Sequence, residues 1–224
     1  RAMEIANDND VPVVLSLGTA SLVRHRHASL KALIADKVDV LAGNLDEVSA
    51  LTQETDPLLA ASAALDLVDM VLLTRDRHGL YIGAWVDESE ARVTRDPIHS
   101  KSIPEYNLHE YSRAMPHAAC DKPLKIFSHI NPYHGGAKVV ANTNGAGDGA
   151  LAAMLHDMAA NVHHRNASPT SPKHRSRFLT YSSVHQICKY ANRVSFEVLR
   201  RHAPRLIQGL PEREDSLEED YWDA

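Results

Sequence analysis

The sequence predicts an α/β fold in which helices flank a mainly parallel sheet. Three apolar stretches with the character of buried strands carry this prediction, at residues 11–17, 38–42 and 69–74. Segments with helical spacing separate them, and this alternation is typical of right-handed crossovers between parallel strands. Ligands of such sheets bind beyond the carboxyl ends of the strands. The residues that follow each strand are therefore the first candidates for function.

Apolar residues at helical spacing predict a helix over 21–36, between the first two strands. Asn44 followed by Glu47 is typical of a capping box and predicts a helix over 45–53. In chain order, the remaining predicted elements are a helix at 58–67, antiparallel strands at 80–86 and 91–95, a strand at 137–142, a small-residue helix at 149–153 and an amphipathic helix at 178–202.

Two polar stretches interrupt this pattern. Residues 97–138 are rich in His, Pro, Ser and Tyr without a clear period, which predicts an insertion or a long loop. Residues 162–177 are basic and broken by two prolines, which predicts an exposed loop. The acidic tail 209–224 carries Leu217, Tyr221 and Trp222, so we expect it to dock. We therefore expect residues 1–224 to form part of one domain with these two interruptions.

The composition excludes several classes of function. The formal net charge is −5 and no basic face recurs, which argues against nucleic acid as the main partner. No apolar run has the length of a membrane span, so we expect no membrane association. Two cysteines without metal-like spacing favour a reducing cytoplasm, and the 14 histidines show no metal-ligand spacing. The start at Arg1, in helix-like sequence, indicates a piece of a longer chain.

The most informative stretch reads Asn-Thr-Asn-Gly-Ala-Gly-Asp over residues 142–148, between a predicted strand and a predicted helix. Backbone N–H groups at such a helix start, together with the helix dipole, suit an anion. Asp148 lies in the same first turn, where a carboxylate can take a proton from a hydroxyl that attacks phosphate. Phosphoryl transfer is the first hypothesis; the alternative is a tight turn with an acid that favours the helix dipole.

Two further segments follow predicted strands. Thr74–Gly79 can hold ATP phosphates with a hydroxyl and loop amides, and Arg75 or Arg77 adds positive charge; alternatively it is a hairpin turn. Glu47 can bind hydrated Mg²⁺, which keeps several waters and needs one or two carboxylates; alternatively it is only a helix cap. For the basic stretch 162–177, the alternatives are a solvated surface loop and a loop that binds nucleic acid.

Taken together, these motifs resemble the carboxyl-terminal half of the ribokinase-like (PfkB) family of sugar and nucleoside kinases. Residues 142–148 stand in register with that family's Asp-Thr-x-Gly-Ala-Gly-Asp signature. Thr74 and Gly79 match the first and last positions of its Thr-x-Gly-x-x-Gly nucleotide loop, and Asn44 and Glu47 match its Asn-x-x-Glu motif. The resemblance implies a ribokinase-like fold and an ATP-dependent kinase.

The resemblance also implies a role for each residue. Asp148 would be the base, and the amides of Gly145, Ala146 and Gly147 would form the anion hole. ATP would be bound by Asn44, Thr74, Arg75, Gly79, Gly147 and Asn192, the last lining the adenine site. Glu47 would help to bind Mg²⁺, and a monovalent cation such as K⁺ would lie beside Asn142 and Asn144. Asn142 replaces the family's Asp and removes a negative charge there, which argues against potassium activation.

The insertion, the helix around Asn192 and the acidic tail narrow the resemblance to members that phosphorylate purine nucleosides. The implied reaction is transfer of the ATP γ-phosphate to the 5′-hydroxyl of inosine or guanosine. The alternatives are another sugar or adenosine kinase of the family, or a non-catalytic nucleotide-binding fragment. The family's amino-terminal half and its lid are not recognisable in these residues. Oligomer formation, if it occurs, is expected through that missing region.

Overall fold

In the described part of the chain, a five-stranded mixed sheet lies between the helices, in the order β1-β2-β3-β4-β5. The computed structural model describes residues 1–93 and 109–212. The strands are β1 (Val14–Ser16), β2 (Val40–Asn44), β3 (Met70–Thr74), β4 (Leu80–Asp87) and β5 (Pro123–Ile130). β1, β2 and β3 are parallel, whereas β4 and β5 run antiparallel to their neighbours. The predicted α/β class is confirmed, but the sheet is mixed rather than mainly parallel.

Helices cover both faces of this sheet. They are α1 (Ala2–Asp8), α2 (Ala20–His25), α3 (His27–Lys37), α4 (Leu45–Thr52), α5 (Pro57–Ala64), α6 (Ala146–Ala167) and α7 (Val184–Leu199). The core of one face joins the sheet to α2, α3, α4 and α5. The core of the other joins it to α6 and α7. None of the helices in the described ranges is long and apolar enough to cross a bilayer.

Side-chain caps determine where several helices begin. The Asp56 carboxylate accepts hydrogen bonds from the amides of Leu58 and Leu59 at the start of α5. Ser183 and Gln186 form a reciprocal capping box at the start of α7. The predicted helix 178–202 is therefore wrong at its start, because this cap begins the helix at Val184. The predicted helix 21–36 is divided in two, since α2 ends at His25 and α3 begins at His27.

β5 is the largest error of the sequence prediction. It lies within 97–138, which was expected to be an insertion or loop, and it pairs with β4 along eight residues. Ala91–Val93, part of the strand expected there, has no strand structure, and residues 94–108 lie outside the described part. The real partner of β4 therefore comes from much later in the chain.

Two other boundaries differ from prediction. Residues 137–142 form no strand: Val139 and Val140 are exposed, and the Ala141 amide donates to the Leu199 carbonyl at 2.9 Å instead of joining the sheet. The expected loop 162–177 begins with helix, because α6 continues to Ala167. The start of the tail docks through Tyr190, whose hydroxyl donates to the Pro211 carbonyl at 2.7 Å. The tail's apolar residues beyond 212 lie outside the described part.

Candidate active site

The carboxyl ends of β2 and β3 bring two of the predicted motifs side by side. Asn44 and Thr74 are the last residues of these parallel strands and are direct partners in the register. The Asn44–Glu47 turn and the Thr74–Gly79 loop therefore leave the sheet from neighbouring positions. This confirms the expected placement of both motifs at one edge of the sheet, while their binding roles stay predictions.

The capping box at Asn44 and Glu47 is fully formed. The Glu47 amide donates to Asn44 Oδ1 at 2.9 Å, and the Asn44 amide donates to Glu47 Oε2 at 3.0 Å. The Asn44 side-chain amide donates to Glu47 Oε1 at 3.1 Å. Glu47 is buried, so the cap orients its carboxylate firmly. Each carboxylate oxygen keeps acceptor capacity beyond these bonds.

The Thr74–Gly79 loop is a tight turn pressed against the end of β5. Gly79 has φ +81°, and a Cβ there would lie 1.8 Å from the Ile130 carbonyl oxygen, so only glycine fits. Asp76 stands where the family motif has glycine and keeps a left-handed φ of +43°. Asp tolerates that region better than most residues, because its short polar side chain bonds locally. Asp76 therefore occupies the left-handed conformation within this turn.

Aromatic packing holds the base of this loop. Tyr81 stacks on His129 with ring centroids 4.3 Å apart. Burial raises the pKa of Tyr81, and the nearby positive charge of Arg75 partly opposes this. His129 in turn contacts the His78 carbonyl through Nε2 at 3.1 Å. Burial, above all, lowers the pKa of His129 from its ordinary value. The positive charge of Arg75 therefore acts near the Tyr81 hydroxyl, at the base of the loop.

Asn192 ties α7 to the segment that follows β5. Its buried side-chain amide donates to the Asn131 carbonyl at 2.6 Å. Gly79 packs against the same Ile130–Asn131 backbone, so the nucleotide-loop candidate and Asn192 meet at one place. The structure therefore brings Gly79 and Asn192 together through the Ile130–Asn131 backbone, which belongs to none of the sequence motifs.

The glycine turn before α6 is shaped by contacts with the chain beyond α7. Gly145 is the N-cap of α6 in the left-handed region, and a Cβ there would lie 2.3 Å from the Pro204 carbonyl oxygen. Asn142 Oδ1 accepts from the Asn144 amide at 2.9 Å, and its Nδ2 donates to the His202 carbonyl at 3.0 Å. The side chain of Asn142 therefore stabilises the turn itself.

Beyond this turn, α6 starts with exposed backbone donors. Its first helical bond runs from the Gly149 amide to the Gly145 carbonyl at 2.8 Å, so the amides of Gly145, Ala146, Gly147 and Asp148 precede the hydrogen-bond ladder. Gly147 and Asp148 are exposed, and a Cβ at Gly147 would meet nothing within 4 Å. The helix start can therefore accept an anion, with a carboxylate at its side.

α7 supports both parts of the candidate site. Gly149 packs on this helix so closely that a Cβ would lie 3.0 Å from a Val198 methyl group. Asn192 lies six residues earlier on α7, about 9 Å along the axis at the rise of an α-helix. Ala150 is fully buried in the core that also contains Ala42 of β2. One rigid helix thus sets the spacing between the glycine turn and the nucleotide-loop candidate.

Two other expectations concern metals and the basic stretch. Among residues 1–93 and 109–212, no group of three or more His, Cys, Asp or Glu side chains is arranged to hold a metal. In the basic stretch, Lys173 is bound into the fold: its carbonyl accepts from Arg113 at 2.8 Å and its ammonium donates to the Tyr181 hydroxyl at 3.2 Å. Part of that stretch is therefore structural rather than a free cationic loop.

Sequence reasoning missed residues that shape the site through their backbone. Pro204, Asn131 and Leu199 contribute carbonyl oxygens or close contacts, and a residue type carries no signal for such a role. The left-handed glycines were the only indirect signal, because glycine at such positions often marks a close backbone approach.

Comparison with known proteins gives a strong sequence match. The chain is 52% identical over 223 residues to the guanosine-inosine kinase of Escherichia coli strain K12, covering 100% of this chain and 51% of that protein. The chain thus spans about half the length of the curated relatives it matches. No family model matches it.

Solved kinases share the fold at low sequence identity. A Trypanosoma brucei brucei adenosine kinase gives a TM-score of 0.55 at 14% identity, covering 89% of this chain and 46% of that one. A Burkholderia thailandensis nucleoside kinase in complex with inosine gives 0.52 at 15%, covering 94% and 48%. An Arabidopsis thaliana ribokinase complexed with ribose and ATP gives 0.51 at 17%, covering 96% and 49%. The ribokinase-like fold, and the resemblance predicted from the motifs, are confirmed.

Proposed function

We propose that this chain is the carboxyl-terminal, nucleotide-binding half of a ribokinase-like nucleoside kinase, which transfers the ATP γ-phosphoryl group to the 5′-hydroxyl of inosine or guanosine. The observation that carries the proposal is the start of α6, where Asp148 stands beside three amides that precede the helical ladder. The 52% identity to guanosine-inosine kinase supports the choice of substrate. Two free cysteines agree with the proposed cytoplasmic location.

In this mechanism Asp148 orients the acceptor hydroxyl and takes its proton as the hydroxyl attacks in line. The amides of Gly145, Ala146 and Gly147 stabilise negative charge on the transferred phosphoryl group. The Thr74–Gly79 loop and Arg75 hold the remaining phosphates, and Asn192 supports the base of that loop. Positioning by these rigid turns accounts for most of the catalysis.

Magnesium fits the chemistry of this edge of the sheet. The Glu47 carboxylate is held by its cap with lone pairs to spare, and Mg²⁺ needs only one or two protein carboxylates besides water and substrate phosphates. When bound, the ion would neutralise phosphate charge. Asn142 and Asn144 are neutral, and Asn142 is bonded within its turn, so we propose turnover without a potassium requirement.

The first test replaces the proposed base in the complete protein. Asp148→Asn keeps the size of the side chain and should lower turnover at least about a hundredfold, on the scale of general-base loss, with little change in ATP affinity. Asp8→Asn is the matched control, because Asp8 is an exposed carboxylate at the end of α1 and the charge change is the same. Steady-state kinetics and ATP titration measure both quantities. Near-normal turnover of Asp148→Asn would refute the assignment.

The second test identifies the acceptor. Labelled ATP is offered with inosine, guanosine, adenosine, ribose and fructose, and inosine and guanosine should give labelled monophosphates at the highest kcat/KM. Activity confined to a sugar or to adenosine would move the protein to another branch of the fold. ATP binding without transfer to any acceptor would favour a non-catalytic nucleotide-binding protein.

A further inference from the structure

The chain that follows α7 packs directly on the glycine turn before α6. The Asn142 side chain donates to the His202 carbonyl at 3.0 Å, and a Cβ at Gly145 would lie 2.3 Å from the Pro204 carbonyl oxygen. Residues 200–205 therefore form a wall beside the exposed amides of the helix start.

Three arginines lie in this wall, and they differ in their surroundings. Arg200 forms an ion pair with Glu197, with Nη1 and Oε1 3.8 Å apart. Arg201 is half-buried and its Nε is shielded from solvent, so its guanidinium is partly enclosed in the fold. Arg205 is exposed and directly follows Pro204, and within residues 1–93 and 109–212 it has no hydrogen-bond or ion-pair partner. Arg205 is therefore the cation that is available beside the turn.

The position of this cation is unfavourable unless an anion binds. The amino-terminal end of a helix carries the positive end of the helix dipole, which repels a positive side chain and attracts an anion. The 22-residue helix α6 contributes one carboxylate to its first turn, Asp148. A phosphate group at the helix start would balance both the dipole and the arginine.

We propose that Arg205 binds the phosphoryl group that is transferred at the start of α6. This rests on the proposed function, in which that group comes from ATP. An arginine forms charge-assisted and often bidentate hydrogen bonds with phosphate. The amides of residues 145–147 hold the group from the helix, and Arg205 holds it from the chain after α7. Arg205 is thus a further catalytic residue, which stabilises negative charge on the transferred group.

The test uses the complete protein and three variants. Arg205→Gln keeps a long polar side chain and removes the charge, whereas Arg205→Lys keeps the charge and removes the planar fork. Arg200→Gln is the matched control, because it removes the same charge five residues earlier from an arginine that is paired with Glu197. Calorimetry measures the affinities for ATP, ADP and inorganic phosphate in each protein, and urea denaturation measures its stability.

We expect Arg205→Gln to bind ATP and inorganic phosphate at least about tenfold more weakly, on the scale of a hydrogen bond to a charged group. ADP lacks the transferred group and should be bound nearly as before. Arg205→Lys should recover part of the loss, and Arg200→Gln should behave like the unmutated protein. The ratio of ATP affinity to ADP affinity is taken within one variant, so a smaller folded fraction does not change it.

Three results would overturn the inference. Equal weakening of ATP and ADP would place Arg205 on the other phosphates, and equal weakening in Arg200→Gln would reflect only the general charge of the wall. A lower urea midpoint with unchanged phosphate and ATP binding would make Arg205 a structural residue.

The phosphate titration separates this inference from the proposed function. If the complete protein transfers phosphate to no nucleoside while phosphate binding still depends on Arg205, the proposed function fails and the inference holds. If inosine is phosphorylated while Arg205→Gln binds phosphate and ATP normally, the proposed function holds and the inference fails.

Discussion

Gly145 offers a test of the turn that places the anion site. In Gly145→Ala the new residue must keep a φ of +81° at the N-cap of α6. The left-handed conformation costs a non-glycine residue about 1–2 kcal/mol. The new Cβ would also lie 2.3 Å from the Pro204 carbonyl oxygen, where ordinary contact begins at 3.4 Å. Relieving that overlap moves backbone by about 1 Å, at an overpacking cost of about 1–3 kcal/mol.

Gly18 separates these two costs. It has φ +79°, nearly that of Gly145, but a Cβ there meets nothing within 4 Å. Gly18→Ala should therefore lose only the conformational part, about 1–2 kcal/mol. Gly145→Ala should lose about 2–5 kcal/mol of unfolding free energy, which is a large share of the about 5–15 kcal/mol of a typical domain. Urea denaturation of the complete protein measures both, with the midpoint shifting at constant slope.

Gly147→Ala completes the comparison from the functional side. Gly147 lies in the first turn of α6 with open space around it, so alanine should not destabilise the fold and can stabilise the helix by about 0.5–1 kcal/mol. The added methyl group would still obstruct the approach of a phosphate to the helix start, and turnover should fall about tenfold or more. If Gly145→Ala unfolds at the same urea concentration as Gly18→Ala, the close contact between position 145 and the Pro204 carbonyl adds no cost, and that part of the reasoning is refuted. Full turnover of Gly147→Ala would refute the amide cradle.

Two further predictions concern stability. His164 Nδ1 and His174 Nε2 lie 2.6 Å apart, and the pKa of His174 is lowered from 6.5, first by burial and then by His164. Arg113, Arg165 and Lys173 also lower it, so the folded state binds fewer protons than the unfolded one. The stabilising effect of neutral His174 is therefore present above pH 6.5 and is lost as the pH falls below that value. In His174→Asn, the urea midpoint should change less between pH 7 and pH 5 than it does in the unmutated protein. An unchanged pH profile of the midpoint would contradict this prediction. Asn192→Ala should lower the free energy of unfolding by about 1 kcal/mol, because the hydrogen bond to Asn131 is lost. It should also weaken ATP binding measured by calorimetry. An unchanged ATP affinity would show that Asn192 does not support the nucleotide site.

The parts of the fold that could be predicted are those with local causes. β2 and β3 follow from short apolar runs, and α4 follows from the Asn44–Glu47 cap. All three elements lie within a few residues of the predicted bounds. β5 could not be predicted in this way, because it forms a strand by pairing with β4. The last residue of β4, Asp87, precedes its partner Pro123 by 36 residues in the chain. Long-range pairing of this kind leaves no period in the strand's own sequence.

The same distinction holds at the helix ends. The last two turns of α6, through His163 and His164, are largely polar and solvent-facing, so apolar spacing gives no signal for them. Nothing in that stretch ends the helix until Ser168 and Pro169, so the helix continues to Ala167. At the start of α7 a signal was present, since Ser183 and Gln186 have the capping-box spacing, and the amphipathic pattern alone gave the wrong start.

The residues of the candidate site could be chosen from the sequence because their proposed roles depend on residue type, and those roles stay predictions. The residues that support the site could not be chosen, because they act through their backbone. Asp148 is exposed in the described part of the chain. In the proposed reaction Asp148 acts as a base in a water-excluded site, so we expect chain outside the described residues to cover it.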